Sequence, residues 1–287
     1  MKTARWLLLR LVELTIAASL GVSPSGTRAD ALCPLGPSDP VFANVTTSSP
    51  VSGLNSGEIL DAKSIFDYSG NPSISGSAYT LNRVRIKSRE CVRVNGTGDI
   101  HLNWVWAEAV GFADDHADAV QCFAQGSTGS VTDTHSTFRA HAFATTSAYF
   151  SADNYLGDHI FNHVLFWGGP IGLRIHCDGG RYLSLDDVYF VTEEGGYPYL
   201  LNYGNCGGAG VIVTQWTNVF NATIVNDALV VGAALPPPCT PLPCRPPNVP
   251  APSSVPGLSD RMLVLLALAL LAIELPAIHR SLTAGRT

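Results

Sequence analysis

The sequence predicts an all-β chain wound as a solenoid, a parallel β-helix, and three observations carry that expectation. A short motif recurs through the middle of the chain, and each copy is followed by a second short strand. Charged residues make up only 14% of the 287 positions, and 27 glycines accompany abundant Ser, Thr and Asn, a turn-rich β composition rather than a helical one. The copies lie 20–30 residues apart, the spacing of stacked repeats rather than of hairpins.

Residues 162–190 show the unit most clearly. They begin with Asn162-His163-Val164, pass Gly168-Gly169-Pro170, alternate through Leu173-Arg174-Ile175-His176, and arrive at Asp186-Asp187-Val188. Val164 and Val188 therefore occupy equivalent places. Aligning all copies puts Val84, Val105, Ser136, Val164, Val188 and Val219 at the third position, with gaps of 21, 31, 28, 24 and 31 residues. Each run alternates in the strand period with β-branched and aromatic residues on one side. Two to three strands per turn fit a solenoid; a β-sandwich would show hairpin turns without a recurring motif.

The organisation around this core reads in order. Residues 1–31 resemble a signal peptide, with Lys2 and Arg5, an apolar run and a small-residue cleavage site at Ala29-Asp30-Ala31. Residues 32–56 are polar and turn-rich, a cap over the first coil. The repeat domain is expected over 57–234. Residues 235–256 form a Pro-rich linker, read as an extended spacer. Residues 257–287 end the chain with an apolar run, Met262–Ile273, followed by Glu274, and the 17 residues 262–278 are at the short limit for a transmembrane helix. Seven cysteines fit an oxidising compartment without fixing a pairing. The net charge of −6, about −8 without residues 1–31, repels phosphate backbones, so no nucleic-acid partner is expected.

The recurring Asn-x-Val-x-Phe runs, with His116-Ala117-Asp118 and Gly172-Leu173-Arg174, resemble the right-handed parallel β-helix proteins of the pectate-lyase-like superfamily over residues 57–232. The resemblance implies a right-handed coil and a protein that binds or processes an extracellular acidic polysaccharide. Enzymes of that superfamily include polysaccharide lyases; a non-catalytic adhesion protein of the cell surface or matrix is the alternative. The tail, with Val255-Pro256-Gly257-Leu258-Ser259 before its apolar run, resembles the IPTL-CTERM and PEP-CTERM sorting signals. That likeness implies an exported protein, anchored in the membrane through its C-terminal helix and met by a sorting protease. It lacks the usual Trp and has a sparse basic end.

Candidate site residues follow from the strand alternation. With Val92, Val120, Ala148 and Leu173 pointing inward, Arg93, Gln121, Tyr149 and Arg174 point outward, and Asn95, Phe123, Ser151 and His176 form the next outward column. A lyase needs a cation for the sugar carboxylate, a base for the C5 proton and an acid for the leaving oxygen. Arg174 suits the first role, His176 or His116 the second, and Tyr149 the third. Gln121, Arg85 and Arg93 are expected to contact substrate, and Trp104 and Trp106 to stack on sugar rings. Asp118, Asp153 and Asp178 could instead hold a hard cation such as Ca2+. Arg83, Arg85, Lys87 and Arg89 make a basic stripe that could attract an anionic glycan or simply discourage lateral pairing.

Overall fold

The computed structural model describes residues 33–247, apart from 113–115, 125, 142–144, 153–154, 177–180 and 204–209, and without the side chains of 68–71 and 203. The expected signal peptide, the sorting tail with its apolar run, and residues 248–256 of the linker lie outside the described residues. Among those described, no helix is long and apolar enough to cross a membrane.

The chain is all-β. A 3-10 turn (Pro40–Phe42) precedes β1 (Thr46–Thr47), β2 (Val51–Leu54) and β3 (Ile59–Gly76). The repeats follow as β4 (Thr80–Val94), β5 (Ile100–Ala109), β6 (Ala117–Cys122), β7 (Val131–Thr134), β8 (Thr137–Ala140) and β9 (Thr145–Ser151). Then come β10 (His159–Gly168), β11 (Ile171–His176), β12 (Tyr182–Val191), β13 (Tyr197–Tyr203), β14 (Ile212–Val225) and β15 (Ala228–Ala234). They form one large sheet whose main path runs β13-β11-β9-β6-β4-β5-β7-β10-β12-β14-β15. Among the described residues, every pairing between these strands is parallel except the terminal β14–β15 hairpin. Each strand pairs with its counterpart in the next repeat, as Val84↔Val105, Val164↔Val188 and Val188↔Val219 show.

The recurring motif marks a bend within the strand. Its second residue is left-handed in every copy: Arg83, Trp104, His135, His163, Asp187 and Asn218 have φ between 52° and 58°, and Ala62, one repeat earlier, has φ 51°. Left-handed backbone is unfavourable for residues with a Cβ, so neighbours must hold each bend in place. The residue before it does this. Asn103 Nδ2 donates to Asn82 Oδ1 at 2.8 Å and Asn82 Nδ2 to Asp61 Oδ1 at 2.6 Å, while Thr134 Oγ1 donates to Asn103 Oδ1 at 2.9 Å. A carboxamide both donates and accepts, so Asn can relay the chain from one repeat to the next. The third residue then turns inward. Its valines are buried, and Ser136, the exception, accepts the Val105 amide at 3.0 Å.

Two positions further on, Phe138, Phe166 and Phe190 stack inside, with centroids 5.9 and 5.3 Å apart. Burial of such side chains contributes on the order of 2–3 kcal/mol each. The core also contains polar groups. Asp133 is fully buried in register between Leu102 and Phe161, and its carboxyl is pushed well above the usual range by burial.

Two flanking segments differ from expectation. The N-terminal segment does not stop at the first repeat but crosses several. Cys33 shares a buried cluster with Leu165, Tyr189, Ala222 and Leu229. The Pro34 carbonyl accepts from Thr137 Oγ1 at 2.5 Å, the Pro37 carbonyl from Arg85 Nη1 at 2.6 Å, and β1 pairs with Lys63 and Ser64. At the other end, residues 235–247 fold back onto the sheet rather than running free. Cys244 exchanges both backbone hydrogen bonds with Val213, Asn202 Nδ2 donates to the Pro246 carbonyl at 2.7 Å, and Cys239 and Cys244 form a disulfide. Carbonyls make most of these contacts, and proline retains its carbonyl although it lacks the N–H.

Candidate functional site

The residues of interest gather on the outer face of β4, β6, β9 and β11. Pairing in register gives the row Arg93↔Gln121, Gln121↔Phe150 and Phe150↔Arg174, about 4.8 Å per step. Arg174 lies over the Phe150 ring at 4.3 Å and Arg93 over the Phe123 ring at 4.8 Å, geometry in which a guanidinium is attracted to the aromatic face. Arg93 also makes a forked ion pair with Glu90, at 2.8–3.0 Å, and Glu90 is itself almost wholly buried. Beside Arg93 opens a cleft of about 450 Å3, lined by Asp67, Pro72, Ser75, Asn95 and Phe123 among others.

This row corrects one expected member. Tyr149 is fully buried and pairs with Val120 and Leu173, so it points inward and Phe150 takes its place outside. Ser151 is likewise interior. The register shifts between Ala117 and Asp118, and the one polar group of Ala148-Tyr149-Phe150 is a tyrosine hydroxyl, which does not mark which side faces water. The Tyr149 hydroxyl meets its hydrogen-bonding need internally, and burial raises its pKa well above normal. As placed, it cannot protonate a leaving group on the outer face.

Asp118 differs in a similar way. It is fully buried, and its Oδ1 accepts from the Ser147 amide at 2.8 Å and from Ser147 Oγ at 2.6 Å, while Oδ2 has no partner. Burial pushes its carboxyl well up; Glu90 adds to the rise, while Ser147 and Arg174 oppose it. A fully buried carboxyl whose ionised form is disfavoured is a poor ligand for a hard cation. Asp153 and Asp178 lie outside the described residues, and among the described residues no group of three or more His, Cys, Asp or Glu is placed to hold a metal ion. His116 is exposed, with Nδ1 3.3 Å from Thr146 Oγ1. His176 is partly buried at the end of β11, where the register with β13 shifts.

The two tryptophans do not share a sugar-facing surface. Trp104 occupies a left-handed bend and stacks on His135 at 4.5 Å; His135 stacks in turn on His163 at 4.8 Å, and His163 pairs with Asp187 at 3.2 Å. Burial, with the neighbouring His163, lowers the His135 pKa. Trp106 is fully buried, edge-on to Trp167 at 6.0 Å. The left-handed residue between Asn103 and Val105 breaks the simple alternation that would have put both rings on one side.

The basic stripe is engaged internally. Arg83 pairs with Asp61 at 2.8 Å, Lys87 with Glu108 at 2.9 Å, and Arg85 with the Pro37 carbonyl and Ser64 Oγ. Glu108, nearly buried, also meets His141 at 2.8 Å and Arg139 at 3.7 Å. Burial alone would raise its pKa, but His141, Lys87 and Arg139 outweigh that and hold it down at about 2.

Sequence reasoning missed Glu90, Ser147 and Phe150. Only Glu90 left a signal, an acid three residues before Arg93. Compared with known proteins, the chain matches no family, no curated protein and no solved structure.

Proposed function

We propose that the chain is an exported right-handed parallel β-helix that binds an extracellular acidic polysaccharide along the row from Arg93 to Arg174. The observation that carries this reading is the row itself: two guanidinium groups, each over an aromatic ring, flank Gln121 across four adjacent strands beside an open cleft. Arg offers forked donors to carboxylates, aromatic rings offer faces to sugars, and an amide hydrogen-bonds hydroxyls. The solenoid reading is supported by the in-register repeats and their left-handed bends, and by the rule that parallel crossovers are right-handed. Export and C-terminal anchoring rest on the sequence of the two ends.

The reading is one of binding before catalysis. A lyase would retain Arg174 as its cation and His176 or His116 as base, but would need an acid other than Tyr149. The experiment is to present the purified full chain to pectate, alginate and an uncharged glucan, following retention and the ultraviolet absorbance of unsaturated product together. Retention on the uronates alone, without product, supports a binding protein. Unsaturated product would move the assignment to a lyase, and no preference for the uronates would refute the acidic-glycan reading.

A further inference from the structure

A second cleft, of about 440 Å3, lies between the N-terminal segment and the sheet, away from the row just described. One wall is Trp106, Arg139 and Trp167, contributed by β5, β8 and β10; the other is residues 35–40, and Asp227 stands at the rim. From this cleft we infer a binding site for a neutral saccharide.

The geometry is built rather than incidental. Arg139 lies over the Trp167 ring at 4.2 Å and within 3.7 Å of Glu108, so its position is fixed from two sides. Trp106 supports Trp167 edge-on. The opposite wall is held by the Arg85 and Thr137 bonds to the Pro37 and Pro34 carbonyls. Asp39 Oδ1 accepts the Val41 amide at 3.0 Å, which orients its carboxylate. Asp227 shares the two-residue turn between β14 and β15 with Asn226, both left-handed at φ 58° and 50°, the pattern of a tight hairpin. The volume falls within the roughly 300–1,000 Å3 typical of small-ligand sites.

Charge selects the ligand class. Asp39 and Asp227 repel uronates, sulfates and phosphates, while Glu108, shared among Lys87, His141 and Arg139, offsets part of the Arg139 charge. A basic ligand is disfavoured because Arg139 itself holds the cation position over Trp167. Hydroxyl groups suit the remaining chemistry: they donate to carboxylates and accept from a guanidinium, while the part of Trp167 that Arg139 leaves uncovered gives a sugar ring an apolar surface.

The site is tested on the full chain by calorimetry with cellohexaose, maltohexaose, mannohexaose and hexalysine. Saturable binding of a neutral hexasaccharide is expected, abolished in Trp167→Ala, weakened roughly tenfold in Asp227→Gly, and unchanged in Arg174→Ala. Gly tolerates the left-handed turn, so Asp227→Gly decides the matter if Trp167→Ala does not fold. The inference is overturned if no neutral hexasaccharide binds, if binding ignores both cleft variants, or if hexalysine binds best. Failure of acidic glycans at Arg174 would leave this site untouched, and the reverse holds as well.

Discussion

The Tyr149 hydroxyl lies 2.9 Å from His159 Nδ1 in the middle of the core, and the same oxygen lies 2.9 Å from Cys122 Sγ. His159 Nε2 continues the chain to Ser151 Oγ at 3.1 Å. One proton arrangement satisfies all four groups: the Cys122 thiol donates to Tyr149, Tyr149 to neutral His159, and His159 to Ser151. Tyr149→Phe leaves two buried groups with one partner fewer and should cost about 1–3 kcal/mol, read as a lower denaturation midpoint. Glycan retention by the folded variant should not change, because the hydroxyl never reaches the outer face.

Asp133 predicts an unusual pH dependence. Its folded pKa is raised by burial, so its contribution to stability is fully present below the unfolded value, about 3.9, and is lost as pH rises toward the folded value. Asp133→Asn removes that titration with little change in volume. Relative to wild type, the variant should gain stability as denaturation is measured at increasing pH above about 4. A constant difference across that range would contradict the assignment.

The acid limb has the opposite sign. His159 is held down at about 3 by burial and Glu108 at about 2 by its cationic partners against the effect of burial. Both contribute stability above their unfolded pKa values. The His159 part should fade as pH falls from about 6.5 toward 3, and the Glu108 part from about 4.5 toward 2. Glu108→Gln should therefore be destabilising at pH 7 and nearly neutral at pH 2, as measured by urea titration at each pH.

Asn103 carries two rungs of the side-chain ladder, one as donor and one as acceptor. Asn103→Ala should cost about 1–3 kcal/mol, with a lower midpoint and an unchanged denaturant slope if the native sheet persists.

The sequence made the repeat legible where its pattern was unambiguous. Val84, Val105, Val164, Val188 and Val219 lie in equivalent, buried positions because each follows a polar residue and a bend. Val92, Val120 and Leu173 point inward as their alternation requires. The pattern failed at Ala148-Tyr149-Phe150, where an amphipathic tyrosine between two apolar residues gives no phase and an internal hydrogen-bond chain accommodates its hydroxyl. The bends were hidden because Arg83 and Trp104 do not advertise left-handed backbone, although His135, His163, Asp187 and Asn218 at the same place in the motif are of types that adopt it more often. Glu108 was hidden for a different reason: Lys87 and His141 reach it across 21 and 33 residues, separations that no local pattern encodes.

The most direct measurement is calorimetric titration of the full chain with an oligogalacturonate, wild type against Arg174→Ala, at low and moderate salt. The account predicts saturable binding that weakens with salt and falls at least roughly tenfold when the guanidinium over Phe150 is removed. Absent binding, or binding unchanged in Arg174→Ala, would contradict it.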